Sequence, residues 1–250
     1  MFREYTAYFD SAGGDDYKFI VVAGWLSTLE RWELFKVKWN RLLLEYEVPY
    51  FHMKDISQWK GPFKKWYKDE NKRARFIAEA YNIIRQHREK GIACIVNYSA
   101  YTEVARDHRI QAEFGNPYSF AGFICASIFK TYVRKKYPKF SPRITYIFDD
   151  EKVGKGLLMK SMKRRGLSNP IFQPWRDQLN KVGKVERYGV IQLQSADFPA
   201  YEIRKLYSED PVELKKTTTL RRSMRLIGRL LPIVIFEKNE LVDLCKKNNL

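Results

Sequence analysis

The stretch "YFDSAGGDDYKFIVVAGW", Tyr8 to Trp25, decides how the chain begins to fold. An apolar run closes on Asp10. A short segment with two glycines and two acids follows, and a second apolar run opens at Phe19. This pattern predicts two strands, 5–10 and 18–26, joined as an antiparallel hairpin. Asp10 then has two readings: a polar turn residue, or a carboxylate that a rigid strand carries to a site. The partners needed to choose must come from the rest of the chain.

Working outward, Trp32, Phe35, Trp39, Leu42, Leu43 and Tyr46 recur at three- and four-residue steps and predict a helix over 29–46, capped by Ser27 or Thr28. Residues 48–63 carry Pro49, Gly61 and Pro62 and read as irregular. Further helices are expected over 71–89, 118–136, 152–165, 195–207 and 239–247. Strands are expected over 92–98, 143–148, 188–193 and 233–236. Pro199 fits the 195–207 helix if it lies in or near the first turn. Strands alternate with helices after the opening hairpin, which argues for an α/β fold on a mixed sheet. No linker or repeat stands out, so a single domain over 1–250 is expected.

Aromatic residues make up 15% of the 250-residue chain, and hydrophobic residues 45%, enough for a sizeable core. Cys94, Cys125 and Cys245 are scattered among apolar neighbours. They form no disulfide or zinc spacing and read as reduced core residues of a cytoplasmic protein. The first residues contain no signal-peptide core. No apolar run approaches the roughly 18 residues of a membrane span.

The formal net charge is +17. A field of that sign favours polyanions, since each phosphate neutralised releases counterions. Residues 130–165 hold twelve Lys/Arg against three acids, and 215–229 hold six Lys/Arg and no acid. Such clustering points to DNA or RNA rather than to an evenly solvated lysine-rich surface. Lys163, Arg164 and Arg165 close the first cluster. In "KKTTTLRRSMRLIGR" (215–229), Arg221, Arg222, Arg225 and Arg229 fall on one helix-like face suited to a phosphate backbone. Trp59, Trp66 and Tyr67 lie among Lys60, Lys64, Lys65 and Lys68. That mixture suits either stacking on single-stranded bases or a packed loop with snorkelling lysines.

Three acids sit at element ends: Asp10, Asp149 after the apolar run 144–148, and Asp197 in "IQLQSADFPAYEIRK" (191–205). Phosphodiester hydrolysis uses hard oxygen ligands around Mg²⁺ or Mn²⁺, one ion or two, supplied by carboxylates from different elements. If the first and fourth strands lie side by side, Asp10 and Asp149 meet. The plainer reading is that these are turn and first-turn residues. Asp150 is a spare ligand. His52, three residues before Asp55, is a candidate proton shuttle; His87 and His108 read as surface residues.

In series, these motifs resemble the bacterial family called domain of unknown function 3800, of the ribonuclease H-like superfamily. The opening strand ending in Asp matches the family's Asp-Glu-Ser-Gly turn and its following strand. "RWELFKVKW" (31–39) and "PYFHMKDISQWKGPFKKW" (49–66) match its tryptophan-rich helix and Phe-His-Met-x-Asp segment. "ITYIFDDEKVGKG" (144–156) and "IQLQSADFPAYEIRK" match its later acid-ended strand and Leu-Gln-x-Ala-Asp helix. The resemblance spans most of 5–207. It implies a mixed five-stranded ribonuclease H-like sheet with flanking helices and helical insertions, a core over 3–208, and a basic extension over 209–250. It also implies that Asp10, Asp149 and Asp197 bind the metal, with His52, Asp55 and Glu202 close by. Ser11 stands where the family carries Glu, and Asp149 where it carries the longer Glu. The expected function is a Mg²⁺- or Mn²⁺-dependent nuclease. The alternative is a nucleic-acid-binding protein that keeps the fold with an incomplete site.

Overall fold

The computed structural model describes residues 4–139, 142–150, 154–180, 182–209 and 231–250. The opening hairpin is present: β1 (Tyr5–Gly14) runs antiparallel to β2 (Phe19–Thr28), with Asp10 opposite Ala23. Both strands extend beyond their apolar runs, and a 3-10 turn over Asp15–Tyr17 closes the tip. Gly13 makes this turn possible. Its φ is +96°, and a Cβ there would stand 2.5 Å from the Phe19 carbonyl oxygen.

Thr28 ends β2 and caps α1 (Leu29–Glu45), its hydroxyl accepting from Arg31 N at 3.4 Å. The irregular segment contains a short helix, α2 (Met53–Ser57), and a 3-10 turn over Gly61–Trp66. The helix α3 (Glu70–His87) leads into β3 (Lys90–Asn97). Two helices then appear that the apolar spacing does not announce, α4 (Tyr98–Asp107) and α5 (Ile110–Phe114). The long α6 (Pro117–Lys136) precedes β4 (Ile144–Asp149) and α7 (Lys155–Arg164). Three short strands follow, β5 (Ile171–Gln173), β6 (Gln178–Leu179) and β7 (Val185–Arg187). The described chain ends with α8 (Leu193–Glu209), β8 (Ile233–Phe236) and α9 (Lys238–Asn248).

The main sheet has six strands, not five, in the order β5-β4-β1-β2-β3-β8. Strands β4 and β5 run parallel to β1 on one side, and β8 runs parallel to β3 on the other. The expected strand over 188–193 does not form. Its apolar residues Val190 and Ile191 pack onto the core from a turn, and Leu193 already opens α8. The outer position goes to β5, whose three residues between Pro170 and Pro174 are too few to show a period. Part of the basic extension belongs to the sheet through β8, and α9 packs against β8 and α4. The arrangement is an α/β fold on a mixed sheet, with nine α-helices among the described residues.

Each face of the sheet carries its own core. On one, β1, β2 and β3 meet α1, α3, α8 and the segment around α2, and the buried tryptophans Trp25, Trp32, Trp39 and Trp66 gather there. On the other, the same strands and β4 meet α4, α5, α6, α7 and α9. All three cysteines are free and buried on this second side or beside it. Trp66 is buried, Trp59 lies beneath Arg73 at 4.5 Å, and Tyr67 stays exposed, so the packed-loop reading describes the tryptophans. His87, expected at the surface, is buried against Phe35 because it closes α3 where that helix meets the sheet.

Pro199 is the seventh residue of α8, well past the first turn. A proline there cannot donate to the Ser195 carbonyl four residues back. Trp25 fills the gap: its Nε1 donates to Ser195 O at 2.9 Å. The break in the helix ladder is thus a tie between α8 and β2.

Candidate functional site

Alternation along β1 and β4 determines where their acids face. In β1, Tyr5, Ala7 and Phe9 enter the α6-side core, whereas Tyr8 enters the tryptophan-side core. Asp10 shares the face of Tyr8. In β4, Ile144, Tyr146 and Phe148 enter the α6-side core while Ile147 packs on the other. Asp149 therefore also faces the tryptophan side. Phe9 is in register with Phe148, so the next residues, Asp10 and Asp149, stand together just past the last parallel pair, where β4 ends and β1 continues beside β2. Helix α8 lies across β1 and β2 and brings Asp197 to the same place. All three aspartates line one cavity of about 230 Å³.

The acids differ in setting. Asp149 is only 5% exposed, and Asp10 and Asp197 are half-buried. Asp10 Oδ1 accepts from Ser11 N at 2.6 Å, and Ser11 also lines the cavity. Asp197 Oδ2 accepts from Met53 N at 2.5 Å. This bond caps α2 from outside, since His52 occupies the N-cap position without capping its own helix. Tyr118 reports the joint field of the strand acids. Burial raises its phenol well above the ordinary value, and the charges of Asp149 and Asp10 add to the rise.

His52 forms the opposite wall. Its Nδ1 lies 3.1 Å from Asp55 Oδ2, which also accepts from Tyr50 Oη at 3.0 Å. The contact is one of proximity: Nδ1 makes no hydrogen bond of regular geometry among the described residues, so a modest turn of the ring would bring it onto the carboxylate. Trp175 stacks on the imidazole at 4.9 Å and fixes its plane. Gln194 joins this wall to α8: its Oε1 accepts from Trp39 Nε1 at 3.1 Å and Phe51 N at 3.0 Å. Its Nε2 donates to Trp175 O at 3.2 Å.

Two cations line the cavity beside the three carboxylates, Lys54 and Arg204. Arg204 lies between the rings of Tyr17 (4.7 Å) and Tyr201 (4.9 Å). Tyr201 also exchanges a hydrogen bond with Ser57 at 2.5 Å. Lys54, Tyr201, Arg204 and Trp175 are absent from the sequence reading. One signal was available: Asp197, Tyr201 and Arg204 follow at steps of four and three and so share one face of α8. Nothing in the spacing points to Trp175, which arrives from the irregular chain after β5.

Other expected residues lie elsewhere. Asp150 follows Asp149 and turns to the opposite face of the strand, where it pairs with Arg187 and stands 3.9 Å from Lys155. It does not line the cavity. Glu202 is buried in α8 and does not line it either. Asp55 stands behind His52 and does not line the cavity. Arg164 and Arg165 close on Glu113, at 3.5 and 3.1 Å, and Arg165 covers Phe114. With Lys163 they end α7, roughly 15 Å along its axis from the end nearer the acids. Arg221, Arg222, Arg225 and Arg229 lie outside the described residues.

The donors at the cavity are hard oxygens from three elements. Among the described residues, however, no three of His, Cys, Asp and Glu gather closely enough to cage an ion. A Zn²⁺ site, which takes four close ligands, does not fit. Mg²⁺ differs: it keeps several waters and takes one or two carboxylates together with substrate phosphate. Asp10 and Asp149 side by side fit that requirement. No known family model matches the chain, and no curated protein does.

Proposed function

We propose that this cavity hydrolyses phosphodiester bonds in DNA or RNA with the help of Mg²⁺ or Mn²⁺. The observation that carries the reading is the meeting of Asp10, Asp149 and Asp197 from two parallel strands and one helix in a single cavity. Asp10 and Asp149 would hold the ion, which supplies a polarised phosphoryl oxygen and an activated water when bound. Asp197 lines the cavity and orders α2, so it ties the acids to the His52 wall. His52, held by the Trp175 stack on the cavity wall, would take or return a proton. Lys54 and Arg204 would meet phosphate charge.

The strand order supports the ribonuclease H-like resemblance. A β1-β2-β3 meander continues through the parallel strands β4 and β5; Asp149 ends β4, and Asp10 lies within β1, one residue past its parallel pairing with β4. The loose gathering of the donors favours one competing reading, a phosphate-binding pocket without chemistry. The two separate in one assay. Labelled single- and double-stranded DNA and RNA are incubated with Mg²⁺, Mn²⁺ or a chelator. Metal-dependent cleavage is expected; intact substrates that are nonetheless retained in a binding assay would leave the pocket reading in its place.

A further inference from the structure

The basic cluster of 130–165 divides in the fold. Lys136 pairs with Glu89 at 2.7 Å, Lys155 lies 3.9 Å from Asp150, and Arg164 and Arg165 share Glu113. Lys130, Arg134 and Arg143 are different. They line a second cavity, of about 360 Å³, and no acid is among the described residues that line it. Lys130 and Arg134 are four residues apart on α6, and Arg143 immediately precedes β4. Lys130 Nζ donates to the carbonyl of Gly166, another lining residue, at 2.8 Å. No ion pair joins any of the three to a carboxylate among the described residues. Ser168 adds a hydroxyl, and Tyr146 and Leu167 give an apolar floor.

From this we infer that the cavity between α6 and the start of β4 binds a phosphate group. Three cations held together without an acid repel one another, and like charges four apart on a helix are destabilising. A tetrahedral dianion relieves that repulsion, and the two guanidinium forks can each offer paired N–H groups to its oxygens. This is not the acid cavity. Ile144 and Asp149 are the two ends of β4, about 17 Å apart at roughly 3.3 Å per residue. The basic cavity also lies on the α6 side of the sheet, and the acids on the tryptophan side. The phosphate can come from a free phosphate compound or from a polynucleotide backbone.

The test uses the intact protein without metal, so it is independent of cleavage. Inorganic phosphate is titrated calorimetrically and in melting experiments, at constant ionic strength against chloride. Phosphate is expected to raise the melting temperature and to bind saturably at one site. Arg134→Gln and Arg143→Gln should each weaken it at least tenfold, while Lys155→Gln, at a cation outside both cavities, leaves it unchanged. Because each removes one of three like charges, both arginine variants should melt no lower than the parent without phosphate. A short oligonucleotide that displaces phosphate identifies a backbone phosphate as the source; an oligonucleotide without effect identifies a free phosphate compound. Equal responses to phosphate and chloride would overturn the site. So would arginine variants that melt lower yet keep the full phosphate response, since their role would then be structural.

Discussion

The two faces of the sheet are built by different physics. On the α6 side Phe9, Phe120, Phe129 and Phe148 pack by contact area, and its buried hydrogen bonds are long ones from hydroxyls and a thiol: Tyr101 to Ile110 O at 3.3 Å, Ser119 with Ser161 at 3.2 Å and Cys125 to Val22 O at 3.5 Å. The tryptophan side is tied more firmly, by buried indole N–H donors that reach elements distant in the chain. Trp25 donates to Ser195 O, Trp32 to Thr6 O at 2.9 Å, and Trp39 to Gln194. Each bond fixes an angle as well as a distance. The cavity that gathers Asp10, Asp149, Asp197 and His52 opens on this tied side. Positioning several side chains from separate elements needs such constraints, whereas stability alone does not.

The strongest way to break this contrast is to damage each side and ask what is lost. Phe129 is fully buried on the α6 side and meets Phe9 at 5.5 Å. Phe129→Ala should cost about 3–5 kcal/mol of stability through lost burial and a cavity. Below its melting transition, its cleavage rate should stay within about twofold of the parent. Urea unfolding and cleavage measured on the same preparation check both. A large loss of activity in folded protein would mean that the α6 side also positions the site.

Asp10→Asn tests the other side at its centre. The variant keeps the shape of the side chain and removes one charge of the strand pair. Cleavage with Mg²⁺ or Mn²⁺ should fall at least about a hundredfold, close to 3 kcal/mol of transition-state stabilisation. Without metal, the melting temperature should hold or rise, because one of two adjacent carboxylates no longer repels the other. The stabilisation by added Mn²⁺ should shrink. A variant that cleaves like the parent would leave Asp10 a strand residue with no part in the chemistry.

Gln194→Ala cuts a tie without touching the acids. It leaves the buried Trp39 Nε1 and Phe51 N without their acceptor, at a cost of about 2 kcal/mol. Phe51 precedes His52, and the Gln194 amide also holds Trp175, which stacks on His52. Cleavage should therefore drop roughly tenfold, about 1.4 kcal/mol, in protein that is still folded. Stability lost with activity intact would show that the hydrogen bonds support only the core.

What the sequence disclosed follows the same division. The period-two pattern exposes the faces of β1 and β4, so the approach of Asp10 to Asp149 was legible once those strands were set parallel. The Trp32-Phe35-Trp39 spacing likewise shows which side α1 buries. Contacts between elements far apart in the chain were not legible. The capping of α2 by Asp197 spans 144 positions, and the bond from Trp25 to Ser195 spans 170. Pro199 looked like a first-turn residue because nothing local reveals a distant indole that replaces its missing donor. The Asp150 side chain was misplaced for a simpler reason: adjacent acids on a strand end point to opposite faces, and only one can enter a given cavity.

His87 offers the finest test, on the tied side but away from the cavity. Its ring is buried, its Nε2 has no hydrogen-bond partner among the described residues, and its backbone carbonyl accepts from Ser27 Oγ at 2.5 Å. Burial lowers the imidazole below its ordinary value of 6.5, and the nearby charges of Lys38 and Arg31 lower it further. The folded state therefore holds the proton less tightly than the unfolded chain. Its contribution to stability is complete above about pH 6.5 and is lost as pH falls through the folded value. Urea midpoints should thus decline between pH 7.5 and pH 5.5 more steeply in the parent than in His87→Leu, which has no proton to gain. The variant removes the ring but keeps the backbone bond to Ser27, so the difference between the two slopes isolates the imidazole. Acids elsewhere contribute to both proteins alike and cancel. Parallel slopes would mean that the ring finds water or a partner when protonated, and that this corner of the tied face is looser than its packing suggests.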